Sequence, residues 1–269
     1  MNLIAIANET IKICEQGKYD TGSVSVIFPG GNYEEAEVIT PAMGAELLQT
    51  ELPVPENAKM CKIIVKNSDT YSAAANYENA LAMNFANAHN PGGGFRLGAT
   101  AQEEALCRCS TLYASITSQK ASEMYKYNNT HISSVESDYM LISPDVLVFR
   151  DENLNLLEKP FKTAVVTAPA PNRFGAAVAA SNAKIKETFE RRIKIILKAA
   201  AKRGYRNLVL GAWGCGAFGN NPVHVAEYFK EAIVDENLGV FFDEICFAIY
   251  GREDGRNITA FRSVFGNVN

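Results

Sequence analysis

Leu81-Ala82-Met83-Asn84-Phe85-Ala86-Asn87-Ala88-His89-Asn90-Pro91-Gly92-Gly93-Gly94 leads, a few residues on, into Gln102-Glu103-Glu104-Ala105-Leu106. An apolar run gives way to three consecutive glycines, and these to the opening of a helix. Such a nearly unbroken apolar run suits a strand covered on both faces. Further runs of the same kind lie at 62–65, 140–142, 146–149, 164–168, 208–213 and 245–250. Helical periodicity fills the intervals. Ile185, Phe189, Ile193, Ile196 and Ala200 recur every three or four residues, and Gly204 stands where that helix would stop. Asn221-Pro222 reads as the cap and first residue of another helix, with Val223, Ala226, Phe229 and Ile233 as its buried stripe. Ala105, Cys109, Leu112 and Ile116 mark one helix opening near Gln102, and residues 119–139 read as a long loop. This alternation predicts an α/β protein: a three-layer sandwich round a largely parallel sheet. Residues 1–60 alternate less clearly, with a short helix near Ile11 and Cys14 and a patch Phe28-Pro29-Gly30-Gly31-Asn32. They read as an N-terminal extension packed on a core of residues 61–269, the whole forming a single domain.

Charge narrows the partners. Lys and Arg number 26 against 30 Asp and Glu, a net charge of -4. General nucleic-acid binding is therefore not expected, and an anionic ligand has to be held by local geometry. Cys14, Cys61, Cys107, Cys109, Cys215 and Cys246 show no CxxC pair, so neither a disulfide framework nor a zinc site is expected. His89, His131 and His224 are far apart in sequence, and no metal is implied. The first nine residues lack the basic and apolar regions of a secretory signal, and no run approaches a membrane span. A soluble, cytoplasmic protein is expected.

Two stretches concentrate the chemistry. Gly92-Gly93-Gly94 offers bare amides and free backbone angles beside two acids at a helix N-terminus. Taken alone, those acids would simply suit the helix dipole. Gly211-Ala212-Trp213-Gly214-Cys215-Gly216-Ala217-Phe218-Gly219-Asn220-Asn221-Pro222 also runs from strand through glycine loop to helix N-terminus, a geometry that cradles a diphosphate. It contains the letters of a dinucleotide fingerprint, yet only one clear strand follows it, which disfavours an NAD-dependent oxidoreductase. A third strand end, Thr167-Ala168-Pro169-Ala170-Pro171-Asn172, faces the same way, while Arg96 and Arg173 read as solvated surface.

Gly92-Gly93-Gly94, seven residues and Gln102-Glu103-Glu104 resemble the GGG-x(6–8)-QEE signature of poly(ADP-ribose) glycohydrolases. The segments 84–87, 139–146, 167–172 and 211–216 follow in the order of that family's bacterial-type branch, so the likeness runs from about Asn8 to Phe265. It implies a macrodomain-like core that binds ADP-ribose at the C-terminal ends of its strands. Carried over by position, Glu104 is the catalytic acid and Glu103 bonds ribose hydroxyls. Gly92, Gly93 and Gly94, with the adjoining Gln102, pass by the distal ribose and diphosphate. Gly214, Cys215, Gly216, Ala217 and Phe218 cradle the diphosphate, Phe218 packing on the ribose. Asn84 and Asn87 match an Asn-x-x-Asn strand end that touches ribose, and Asp69 is the candidate for adenine. The implied partners are ADP-ribose polymer or ADP-ribosylated macromolecules, with no cofactor, metal or membrane.

The implied reaction is hydrolysis of a ribose–ribose link, releasing ADP-ribose, with Glu104 as general acid and then base. Glu104 must hold its proton at first, which burial, its acidic neighbour and a diphosphate favour and the helix N-terminus opposes. Hydrolysis of single ADP-ribose groups on protein or nucleic acid is the alternative. A non-catalytic ADP-ribose reader would have no need of the two acids.

Overall fold

The computed structural model describes residues 2–29 and 36–266 of the chain; Gly30-Gly31-Asn32 lies outside them. Helix α1 (Leu3–Gln16) precedes a small hairpin of β1 (Lys18–Asp20) and β2 (Ser25–Ile27). Then come β3 (Glu37–Ile39), α2 (Pro41–Gln49), β4 (Lys62–Lys66), α3 (Thr70–Ala74) and β5 (Ala80–Ala86). Three helices follow, α4 (Gln102–Cys109), α5 (Leu112–Ile116) and α6 (Ser122–Thr130), before the long strands β6 (Met140–Arg150) and β7 (Leu156–Pro169). The chain closes with α7 (Asn182–Lys202), β8 (Asn207–Leu210), α8 (Pro222–Lys230), β9 (Glu244–Ala248) and α9 (Arg256–Phe265).

Seven strands form one mixed sheet in the order β3-β6-β7-β5-β8-β9-β4. From β7 to β4 all neighbours are parallel, while β6 and β3 join antiparallel at one edge. Side chains alternate across it with the period of two that a strand imposes. Leu81, Met83, Val166, Leu208, Leu210, Ile245 and Phe247 face the layer containing α2, α7, α8 and α9. Ala82, Val165, Val209 and Cys246 face α1, α3, α4, α5 and α6. Both faces are covered, and this is why the strands read as continuous apolar runs. The architecture is α/β, three-layered and largely parallel. Among the described residues no helix is long and apolar enough to cross a membrane.

Several elements differ from the pattern read in the sequence. The runs at 140–142 and 146–149 are one strand, interrupted by a register shift between Ser143 and Val146. The helix from Gln102 stops at Cys109, because Thr111 N donates to Leu147 O and Ser110 bridges to Val148, drawing that backbone onto β6. Residues 119–139 are not all loop, since α6 lies within them. On α8, Val225 takes the buried place expected of Val223, which is exposed. Helix α1 is four turns long, capped by Asn2, whose Oδ1 accepts from Ile4 N and Ala5 N. Residues 37–39, ahead of the expected core, supply the sheet's edge strand β3.

Candidate active site

Parallel strands end on a common edge, so the segments after β7, β5 and β8 emerge side by side with that of β5 in the middle. In such sheets ligands bind outside the carboxyl ends of the strands.

Gln102 fastens the first turn of α4 to β5. Its Nε2 donates to Met83 O (2.7 Å) and Thr70 Oγ1 (3.0 Å), and its Oε1 accepts from Phe85 N (2.9 Å). Both amide hydrogens therefore point into the fold, and Gln102 acts as a strap that places the two acids over the strand end.

Glu103 is 3% exposed. Its Oε2 accepts from Asn87 N (2.8 Å), and its Oε1 from Asn84 Nδ2 (3.2 Å) and Gly92 N (3.3 Å). Burial pushes its carboxyl up to about 8, aided by the neighbouring Glu104, although the three hydrogen bonds pull the other way. Glu104 is 7% exposed; its Oε1 accepts from Gly94 N (2.9 Å), while its buried Oε2 has no hydrogen-bond partner among the described residues. Gly93 sits at φ +53°, where a Cβ would land on Glu104 Oε1 and 3.4 Å from Glu103 Oε2. Only glycine lets the chain pass so close to both carboxyls.

The glycine amides of this loop are therefore already bonded: Gly92 to Glu103, Gly93 to Asn90 O, Gly94 to Glu104. The sequence reading brings residues 92–94 past the diphosphate; in the structure Gly92 N and Gly94 N face the acids and Gly93 N faces Asn90 O. Asn84 also differs from expectation. It is fully buried beneath Glu103, its Nδ2 also reaching Thr167 Oγ1 (3.2 Å), and its Oδ1 has no partner among the described residues. Asn87 uses its Oδ1 to hold the turn, accepting from His89 N and Asn90 N. Asp69 caps α3, accepting from Tyr71 N and Ser72 N, next to the threonine that Gln102 grips.

The second loop is built differently. Gly214 is at φ +71°, and a Cβ there would lie 2.7 Å from Ala170 Cβ and 2.8 Å from Asn220 Nδ2. Asn220, 3% exposed, donates to Pro171 O (2.8 Å) and Gly214 O (3.0 Å) and accepts from Arg173 Nε (3.2 Å). Arg173 N donates to Phe218 O (3.0 Å), so this arginine joins two loops instead of lying free in solvent. The segments after β7 and β8 thus form one tied unit. Among the described residues the amides of Gly216, Ala217 and Phe218 donate to no protein acceptor, and Gly216 and Ala217 are exposed. Burial pushes the Cys215 thiol up to about 12, which leaves it a poor nucleophile.

Thr70, Thr167 and Asn220 were not evident as site residues from sequence. Each acts by holding another group, and only their contacts reveal it. Arg108 could have been found by spacing: it stands four residues after Glu104, on the same face of α4.

Residues 7–151 match the family model for the microbial-type PARG catalytic domain. No curated protein matches the chain. Among solved structures, poly(ADP-ribose) glycohydrolase from Thermomonospora curvata is similar at 34% identity, with 98% of this chain and 99% of that one covered and a TM-score of 0.88. Its complex with the inhibitor ADP-HPD gives 35% identity, 97% and 98% coverage and a TM-score of 0.85. The Deinococcus radiodurans enzyme in complex with ADP-ribose gives 33% identity, 88% and 96% coverage and a TM-score of 0.77. A buried acid pair on a glycine loop, the strand-end setting and likeness along nearly the whole length agree: this chain belongs to the microbial-type poly(ADP-ribose) glycohydrolase family.

Proposed function

We propose that this chain hydrolyses poly(ADP-ribose) at its ribose–ribose O-glycosidic links, releasing ADP-ribose, with Glu104 as general acid and base. The observation that carries the reading is the Glu104 carboxyl. One oxygen is fixed by Gly94 N, and the other is buried without a partner among the described residues, beside the strand-end loops. A carboxyl so placed is oriented by the fold yet has an oxygen left for substrate.

The diphosphate lies on the amides of Gly216, Ala217 and Phe218, which lets an acidic protein hold an anion. The distal ribose then sits between Phe218 and residues 92–94. Glu104 gives its proton to the leaving ribose oxygen as the C1–O bond breaks. The carboxylate so formed faces the electron-poor C1, then takes a proton from the attacking water as that oxygen bonds to C1. Glu104 ends protonated, and the polymer is one unit shorter. Glu103 supports the turn that carries Gly92 and bonds ribose hydroxyls through its remaining lone pairs. Asp69, at the end of β4, is the proposed contact for adenine. The protein acts without a cofactor, and its substrates are polymer chains on modified macromolecules.

Incubation with labelled polymer and, separately, with mono-ADP-ribosylated protein tests this reading. Free ADP-ribose from polymer alone supports it. Release from the mono-modified protein with the polymer left intact contradicts it.

A further inference from the structure

We propose that Arg108 is a positioning residue for Glu104: its buried guanidinium, one turn further along α4, balances the charge of the Glu104 carboxylate and fixes the loop that orients it. The inference rests on the role given to Glu104 above. A spacing of four residues puts both side chains on one face of the helix. Arg108 is 3% exposed. Its Nη2 donates to Ala99 O at 2.6 Å, whereas its Nη1 is buried with no partner among the described residues. Glu104 repeats the pattern, with Oε1 held by Gly94 N and Oε2 unpartnered. Two half-satisfied groups, a cation and an acid that ionises during the reaction, therefore share one buried face. A guanidinium removed from water is tolerated when an opposite charge lies near it. Burial holds Arg108 below its usual range, and among the influences that oppose this the Glu104 charge is the largest.

The same fork grips the loop. Ala99 N donates to Gly94 O (3.2 Å), so the carbonyl that Arg108 holds and the amide that holds Glu104 belong to one small turn. Behind it, the fully buried Thr10 of α1 donates through Oγ1 to Arg108 O (2.8 Å), bracing α4 from the N-terminal helix. When Glu104 delivers its proton, a negative charge appears on a carboxyl that is largely buried, and a fixed positive charge stabilises it without rearrangement. The other titratable groups around Glu104 and Arg108 are Glu103, Cys107 and Cys109 on α4 and Tyr125 on α6.

The test compares wild-type protein with Arg108→Gln, Arg108→Lys and Thr10→Val on labelled polymer, taking kcat and KM across pH and ADP-ribose affinity by calorimetry. Arg108→Gln is expected to lower kcat by about 100-fold. KM and ADP-ribose affinity should stay within about threefold, because the ligand contacts are kept. The alkaline limb of kcat, which belongs to the acid pair, should move upward. Arg108→Lys should return the limb and part of kcat, and Thr10→Val should lower Tm with the limb unmoved. A kcat for Arg108→Gln within about twofold of wild type, or a loss with the limb in place, overturns the proposal. Should Arg108→Gln not fold, Tm decides without turnover. At alkaline pH, where Glu104 is a carboxylate, Glu104→Gln leaves the guanidinium unbalanced and should lower Tm, and adding Arg108→Met should recover it; an unchanged or raised Tm in Glu104→Gln at that pH overturns the pairing. Wild-type protein that leaves polymer intact overturns the parent reading instead, and those Tm values still judge the pairing.

Discussion

The two glycine loops look alike in sequence and behave as opposites. In residues 92–94 every amide bonds inside the protein, two of them to the acid pair. In residues 216–218 none donates to a protein acceptor among the described residues. Each loop contains a glycine in the left-handed region whose Cβ would collide, Gly93 with Glu104 and Gly214 with Ala170 and Asn220. A run of glycines therefore announces close approach, but the hydrogen bonds decide what approaches. The first loop seats carboxyl groups, and the second keeps its donors for an anion.

If the first loop serves chemistry and the second serves binding, substitutions should separate kcat from affinity. The largest effect is expected for Glu104→Gln, which keeps shape and loses the transferable proton. Hydrolysis should fall by about 1000-fold while ADP-ribose affinity, measured by calorimetry, stays within about threefold. Next is Gly93→Ala, which strains the backbone and displaces Glu104 Oε1. A drop in kcat of about 100-fold with little change in affinity is expected in steady-state assays. Equal losses in kcat and affinity would erase the contrast between the loops.

Much of the fold was legible in sequence, and the rest, with the contrast between the loops, was hidden for identifiable reasons. Strands 80–86, 207–210 and 244–248 stood out because both faces of the sheet are covered. Helix α6 was missed because its buried side includes Asn128 as well as Met124 and Tyr125. That asparagine donates to Ala88 O and accepts from Ser137 N, so a polar residue occupies a core position. The break after Cys109 was missed because the apolar spacing of Leu112 and Ile116 continues through it, while the bonds that end the helix come from β6. At the site, the glycines and acids could be recognised by type. Which amides were already bonded could not, because that depends on where α4 lies against β5.

Smaller effects sharpen the binding half. Gly214→Ala should raise KM by about tenfold and leave kcat nearly unchanged, since its Cβ would meet Ala170 and Asn220 in the tied segments after β7 and β8 and not the acids. A larger loss in kcat than in KM would place chemistry in the second loop. The smallest effect concerns stability. Glu103 has its carboxyl raised by burial from an ordinary 4.5 to about 8, so between those values the folded chain binds a proton that the unfolded chain has released. Stability should fall as pH rises through that window, and Glu103→Gln should flatten the slope in thermal unfolding followed by circular dichroism. A wild-type Tm that rises across the window would contradict the shift.

A crystal structure of the chain with ADP-ribose bound is the most direct check on the separation of roles. The diphosphate oxygens should lie about 3 Å from the amides of Gly216, Ala217 and Phe218, with C1 of the distal ribose about 3.5 Å from Glu104 Oε2. A diphosphate held by the amides of residues 92–94, or a Glu104 carboxyl turned away from the sugar, would contradict it.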